Sequence, residues 1–282
     1  MQTATPHRSW LLDQFRAAAN PGQFLLAVRD LWEGAKRWRL WGYMGLHEIR
    51  QRYRRSVIGP LWITLSMGIT VSALGVLYGA ILKVEVAGYL PFLTAGFVIW
   101  GLLATLITDG TRVFTAVEGF IRQMPAPLSV HVYRLVWSNL IIFGHNLLVF
   151  VAVALWFGLN PGWSALMAVP GLLLVVANGV WLSLLLGLLS ARFRDVPLIT
   201  GSVVQVLFFI TPVIWQPEML PGRPLLLVGN PLYQLLEVVR GPLLGHVPPL
   251  ETWLVVAAFT VVGWALALLF YTAYRWRVSY WV

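Results

Sequence analysis

No cysteine occurs at any of the 282 positions, which excludes disulfides, thiolate metal sites and cysteine nucleophiles. Charge is scarce too: 11% of residues are Asp, Glu, Lys or Arg, while 59% are hydrophobic. Soluble domains carry roughly 25% charged residues, so this chain cannot cover a water-facing surface and is expected to be an integral membrane protein. The length leaves no room for a separate soluble enzyme domain beside several spans. There is no Gly-x-x-x-x-Gly-Lys-Ser/Thr phosphate loop, so the chain does not hold ATP by that route. His-Glu-x-x-His and other metal-ligand spacings are also missing, so no catalytic residue and no metal ligand is assigned. Internal repeats and low-complexity tracts are lacking. The first thirty residues hold no short apolar stretch before a small-residue cleavage site, and no removable signal peptide is expected.

What is present begins with Arg50-Gln-Arg-Tyr-Arg-Arg-Ser-Val-Ile-Gly-Pro-Leu-Trp62, a dense basic run that stops at Ser56. No charged residue follows until Lys83. Cations crowding one side of a boundary, with an apolar run beyond it, mark a chain entering a bilayer from its anionic, cytoplasmic side. The net charge of +9 is therefore read as attraction to anionic headgroups and membrane lipids, with no nucleic acid as partner.

Charge-free windows predict six spans. They are Ser56 to Leu82, starting near Pro60; Val86 to Thr108; two within Leu135 to Ala191, divided at Gly158-Leu-Asn-Pro-Gly-Trp163; Val196 to Pro217, kinked at Thr211-Pro212; and Thr252 to Tyr274. With the N-terminus inside, seventeen of the twenty Lys and Arg residues fall on inner segments, leaving Lys83, Arg223 and Arg240 outside. Both termini are then cytoplasmic by the positive-inside rule. Before Ser56, Trp32, Trp38, Trp41 and Tyr43 alternate with Lys36, Arg37, Arg39 and Arg50, as in a helix lying in the interface plane. The segment from Gln216 to Glu251 is apolar but broken by Pro217, Pro221, Pro224, Pro231 and Pro242. It reads as short re-entrant helices, tolerable only where their ends are buried or face water. The expected architecture is all-α: a cytoplasmic N-terminal segment with an interfacial helix over residues 1–56, then a six-span domain over residues 57–282.

The predicted spans contain no Asp, Glu, Lys or Arg. Ion-coupled transporters generally need such groups at depth, so the energy source is expected on another chain and the substrate path is expected to be neutral. Two inner connections are the places where another chain could push: Asp109 to Pro125 and Ser190 to Pro197. Taken alone, they are equally solvated turns supplying positive-inside charge.

Three motifs in register resemble a known family. Arg52-Tyr-Arg-Arg-Ser-Val-Ile-Gly-Pro-Leu-Trp62 looks like the signature entering the first span of ABC-2 type permeases. Arg192-Phe-Arg-Asp-Val196 resembles the inner loop before their fifth span, and Asn230-Pro-Leu-Tyr-Gln-Leu-Leu-Glu-Val-Val-Arg240 their outer Asn-Pro…Arg element. The layout matches across nearly the whole chain, most closely in the subgroup exporting O-antigen, capsule or teichoic acid polysaccharides. Gly119-Phe-Ile-Arg-Gln-Met-Pro125 matches the usual pattern only loosely.

The resemblance implies a half-transporter of the bacterial inner membrane. Two copies would form a central channel, with two copies of a separate ATPase subunit docked beneath. ATP and magnesium would belong to that partner, and this chain would hold no cofactor. The cargo would be a polysaccharide on a polyprenyl diphosphate. Trp62, Ser66 and Thr70 on the first span, and Ser202, Gln205 and Phe209 on the fifth, recur at helical spacing. Such stripes serve either helix packing or a pore, and the resemblance places these spans by the channel. With 15 Trp residues, the chain also offers ring faces on which sugars stack, although interfacial belts use the same residues. Arg52, Arg54 and Arg55 are candidates for the diphosphate, since guanidinium forks match phosphate oxygens. Val117, Glu118, Phe120, Arg122, Arg192, Arg194 and Asp195 are the coupling candidates toward the ATPase. The alternatives are a permease for drugs or small lipids, which shares the layout, and a membrane transferase acting on lipid-linked sugars. Against the transferase, Asp109, Glu118 and Asp195 show no evident pairing.

Overall fold

The computed structural model describes residues 21–54, 56–123, 126–219, 227 and 229–282, and every regular element among them is helical. Two helices precede the first apolar run, α1 (Pro21–Lys36) and α2 (Trp38–Arg52). There follow α3 (Leu61–Leu82), α4 (Val86–Gly110), the short α5 (Glu118–Gln123), α6 (Ser129–Trp156), α7 (Ala168–Arg192), α8 (Val196–Ile210), α9 (Pro231–Leu243), α10 (Leu250–Tyr274) and α11 (Val278–Trp281). Five of these, α3, α4, α6, α7 and α10, are long and apolar enough to cross a membrane, so the protein is multi-pass. The division between α6 and α7 falls where the turn signal predicts, with Gly158 at φ +66° and Gly162 at φ +60°.

Three expectations need correction. The basic N-terminal region is two helices, broken at Arg37 (φ −81°, ψ 39°), where one was expected. The fifth apolar helix stops at Ile210, because Pro212 supplies no N–H and its ring disfavours helix at Thr211. Its 15 residues span about 22 Å, short of a hydrocarbon core of roughly 30 Å. Two helices also run past the predicted bounds: α4 ends at Gly110 and takes in Asp109, and α6 starts at Ser129, six residues before Leu135, and takes in Arg134.

Helix α4 is the centre, packed by α3, α6, α7, α8 and α9. One end of the molecule is organised by Asp30 on α1. Its carboxylate accepts the N–H groups of Leu128 and Ser129 at 3.1 Å each, capping α6 from outside. It also accepts the Tyr271 hydroxyl at 2.6 Å and stands 3.8 Å from Arg275, fastening the last turns of α10. Arg122 donates to the main-chain oxygen of Val282 at the same end. Helix α2 is held there by Glu48, 3.7 Å from Arg134, and by Trp41, whose ring contacts Tyr133 and Trp137.

Between α7 and α10, Asn178 donates to Thr260 Oγ1 at 2.7 Å and accepts from Trp181 Nε1 at 2.7 Å. Gly263 lets Trp181 lie flat on α10, since a Cβ there would sit 2.6 Å from Trp181 Nε1. Gly263→Val should therefore cost about 2 kcal/mol through forced repacking, seen as a lower unfolding midpoint in detergent. Gly68→Val, whose Cβ meets nothing within 4 Å, is the control and should leave the midpoint in place.

Candidate functional site

Helices α3 and α8 leave most of their surface without a protein partner. Of 22 residues, α3 buries only Ile63, Val71, Gly75 and Gly79, and α8 buries only Val204. The candidate channel residues Trp62, Ser66, Thr70, Ser202, Gln205 and Phe209 are all exposed on these faces. The hydroxyls are satisfied within their own helices: Ser66 donates to Ile63 O at 3.0 Å, Thr70 to Ser66 O at 2.8 Å and Ser202 to Leu198 O at 3.2 Å. The faces are thus largely apolar, their hydroxyls already bonded within the helix. They flank one strip of α4. Phe208 of α8 meets Phe97 edge-on at 5.6 Å and Trp100 at 5.7 Å. On the other side, α3 brings Met67 up to Gly101.

Of the three arginines assigned to phosphate contact, Arg52 and Arg54 are exposed at the end of α2, and Arg55 lies outside the described residues. Arg52 stands 3.9 Å from Glu48 and lines a pocket of about 160 Å³ with Arg112, Arg134, Asp109 and Asn139. Arg134 Nε and Asn139 Oδ1 are buried there without a hydrogen-bond partner among the described residues. Three guanidiniums face two carboxylates, a surplus of positive charge beneath the start of α3. Glu48 was not singled out from sequence; its only signal is being a lone acid among the cations of α2. On α1, Glu33 pairs with Arg29 at 2.6 Å, and that guanidinium holds its carboxyl below the usual range. Both groups are exposed, so the pair adds little to stability.

The coupling candidates fall into two loops at the Asp30 end, both tied to α7. The first passes through a 3₁₀ turn, Thr115–Val117, that packs against α7. Val113 and Phe114 are buried there and press on Gly187. Glu118, Phe120 and Arg122 are exposed, whereas Val117 is buried and faces the protein. The second loop follows α7 directly. Arg192, Phe193, Arg194 and Asp195 are all exposed, with the Arg192 guanidinium 5.6 Å from the Phe193 ring. Phe120 and Phe193, at 55% and 57% exposure, are large rings projecting from otherwise polar loops.

At the opposite end, α9 clamps the break after α8. Asn230 caps α9, accepting from Leu232 N and Tyr233 N, and donates to Thr211 Oγ1 at 2.8 Å. Arg240 donates to Pro212 O at 2.6 Å and to Glu237 at 2.7 and 3.1 Å, and it lies 4.2 Å from the Phe92 ring centroid. Tyr89 donates to Ile214 O at 2.8 Å. Non-helical backbone inside a membrane protein is viable only when its carbonyls are met by protein; Arg240 and Tyr89 meet those of Pro212 and Ile214, while Asn230 ties the turn through the Thr211 hydroxyl. Arg240, counted from sequence among outer charges, is 1% exposed and reaches the level of Gly96, ten residues into α4.

A family model described as ABC-2 type transporter matches residues 39–244. The chain is 24% identical over 242 residues to the O-antigen export system permease protein RfbA of Myxococcus xanthus, covering 82% of this chain and 93% of that one. It is 23% identical over 197 residues to a protein of the same name from Klebsiella pneumoniae, covering 67% and 74% respectively. The matched region runs from α2 to the end of α9, taking in the sparsely packed helices α3 and α8, both loops at the Asp30 end and the α9 clamp, and the chain belongs to the ABC-2 type transporter family.

Proposed function

We propose that this chain is the permease subunit of an exporter that moves a polysaccharide, carried on a polyprenyl diphosphate, across the bacterial inner membrane. O-antigen-type glycan is the favoured cargo. The observation that carries the reading is the near end-to-end likeness to a protein named as an O-antigen export permease. Energy comes from ATP hydrolysed in two copies of a separate subunit. Two copies of this chain face each other across the open surfaces of α3 and α8, whose satisfied hydroxyls and exposed rings suit a polymer that must slide.

Chain parity supports six crossings with both termini cytoplasmic. The first turn of α6 and the last turns of α10 meet α1 at Asp30, and α2 leads into α3 at that same end. A chain that leaves and returns at one end crosses an even number of times. Helix α8 with the clamped turn at Thr211–Trp215 then completes the set beside the five long helices. The surplus of guanidinium around Arg52 supports loading of the diphosphate there, with Arg54 and Arg55 beside it.

Deleting the gene should remove surface polysaccharide and leave its lipid-linked precursor on the inner leaflet, with drug tolerance unchanged. A drug or small-lipid permease gives the reverse pattern. Within the coupling loops, Glu118 and Phe120 are the exposed docking groups and Val117 supports them from beneath. Arg194→Ala and Asp195→Ala should still assemble with the ATPase and permit hydrolysis, while surface polysaccharide falls at least tenfold. Wild-type export by both variants would remove the coupling role.

A further inference from the structure

A cavity of about 710 Å³ opens at the end of the molecule remote from Asp30. Its walls are the first turns of α4, the Phe157–Asn160 turn after α6, residues 216–218 and one face of α9. The volume lies within the range of about 300–1,000 Å³ usual for small-molecule sites. None of the channel, diphosphate or coupling residues lies in it.

The chemistry of the walls selects a class of ligand. Among the described lining residues Arg240 is the only Lys or Arg, yet it is 1% exposed and its guanidinium is committed to Glu237, Pro212 O and the Phe92 face. Among the described residues, an incoming anion would meet Glu218 and Glu237 without an available guanidinium. A cation would find Glu237 already neutralised by Arg240 at 2.7 Å, with the single exposed carboxylate of Glu218 left to attract it. What the walls leave unmet are neutral hydrogen-bonding groups. Arg240 bonds only Glu237 Oε2, so Oε1 remains an open acceptor. The Tyr233 hydroxyl has no partner among the described residues, and the Asn160 amide uses its oxygen on Gly162 N, leaving its N–H donors open. Phe157 adds an apolar ring wall. Acceptors and donors held in place, the Glu237 carboxylate already paired with Arg240, beside a ring match a polyol with one apolar face.

We propose that this cavity binds one or two neutral sugar units, with Glu237 and Tyr233 bonding ring hydroxyls and Phe157 covering the apolar ring face. The site rests on the exporter reading, and it gives each protomer a holding point for glycan away from the channel faces. Binding here would bias the polymer against sliding back.

The lack of native cysteine makes a single-thiol test direct. In full-length His246→Cys protein reconstituted in lipid nanodiscs, maleimide labelling of position 246 is timed with and without neutral oligosaccharide released by mild acid from the producing cells' surface glycan. The expected result is labelling at least fivefold slower with saturating oligosaccharide and unchanged with inorganic pyrophosphate or spermine. Tyr233→Phe and Asn160→Asp, which leave the Arg240–Glu237 pair and the acceptor for Gly162 N intact, should each restore most of the fast rate. No protection, protection by pyrophosphate or spermine instead, or protection indifferent to both substitutions would overturn the site. Surface polysaccharide from cells carrying the His246→Cys chain separates the two failures. Glycan exported without protection removes the cavity proposal alone, whereas surface glycan that does not depend on this chain removes the exporter reading and the cavity with it.

Discussion

Arg240→Ala is expected to cost about 4 kcal/mol, the scale of breaking one partner out of a buried ion pair, and to leave little folded protein in the membrane. The substitution strands Glu237 and deprives the buried Pro212 O of its donor. It also removes the cation stacked on Phe92. Arg240→Lys should not rescue, since an ammonium cannot reach the carboxylate and the carbonyl in the same fork geometry. Combining Arg240→Met with Glu237→Gln should recover roughly half of the loss, because the orphaned charge is gone and only the carbonyl stays unmet. Folded yield and unfolding midpoint in detergent read all three. Wild-type stability of Arg240→Ala would show that the turn after α8 holds without its clamp.

The second large effect is expected at Asp30. Asp30→Ala removes the external cap of α6, the Tyr271 acceptor and the partner of Arg275 together. A lost cap costs about 1 kcal/mol and a hydrogen bond to a charged group about 2, so a loss of about 3 kcal/mol is expected. Asp30→Asn keeps one acceptor oxygen and should fall between. Since Asp30 joins α1 to both α6 and α10, limited proteolysis should release the N-terminal helices first in the alanine variant. Cleavage of that variant at the wild-type rate would contradict the hub.

The long helices were legible because a bilayer imposes a simple pattern, and charge-free windows placed their ends within about one turn, except the start of α6, which lies six residues before Leu135. The exceptions are local. Ile210 ends α8 early because Thr211-Pro212 breaks the ladder outright rather than kinking it. Arg37 divides the basic segment without a proline or glycine to mark the break. Asp30 and Glu48 were invisible as organisers because their partners lie about ninety to two hundred and forty positions away. Burial of Arg240 was hidden for the same reason: its acceptor Pro212 O sits in another segment. At the candidate site, helical spacing put the α3 and α8 stripes on open faces, yet spacing alone did not separate buried Val117 from exposed Phe120 three residues later.

The most direct test is purification of the protein from its own membranes, followed by ATPase assay of whatever accompanies it. The account predicts a stoichiometric ATP-binding subunit, two copies of each chain in the complex, and hydrolysis that changes when the lipid-linked glycan is added. A protein that comes through alone, with no ATPase and with activity that modifies lipid-linked sugar, would contradict it.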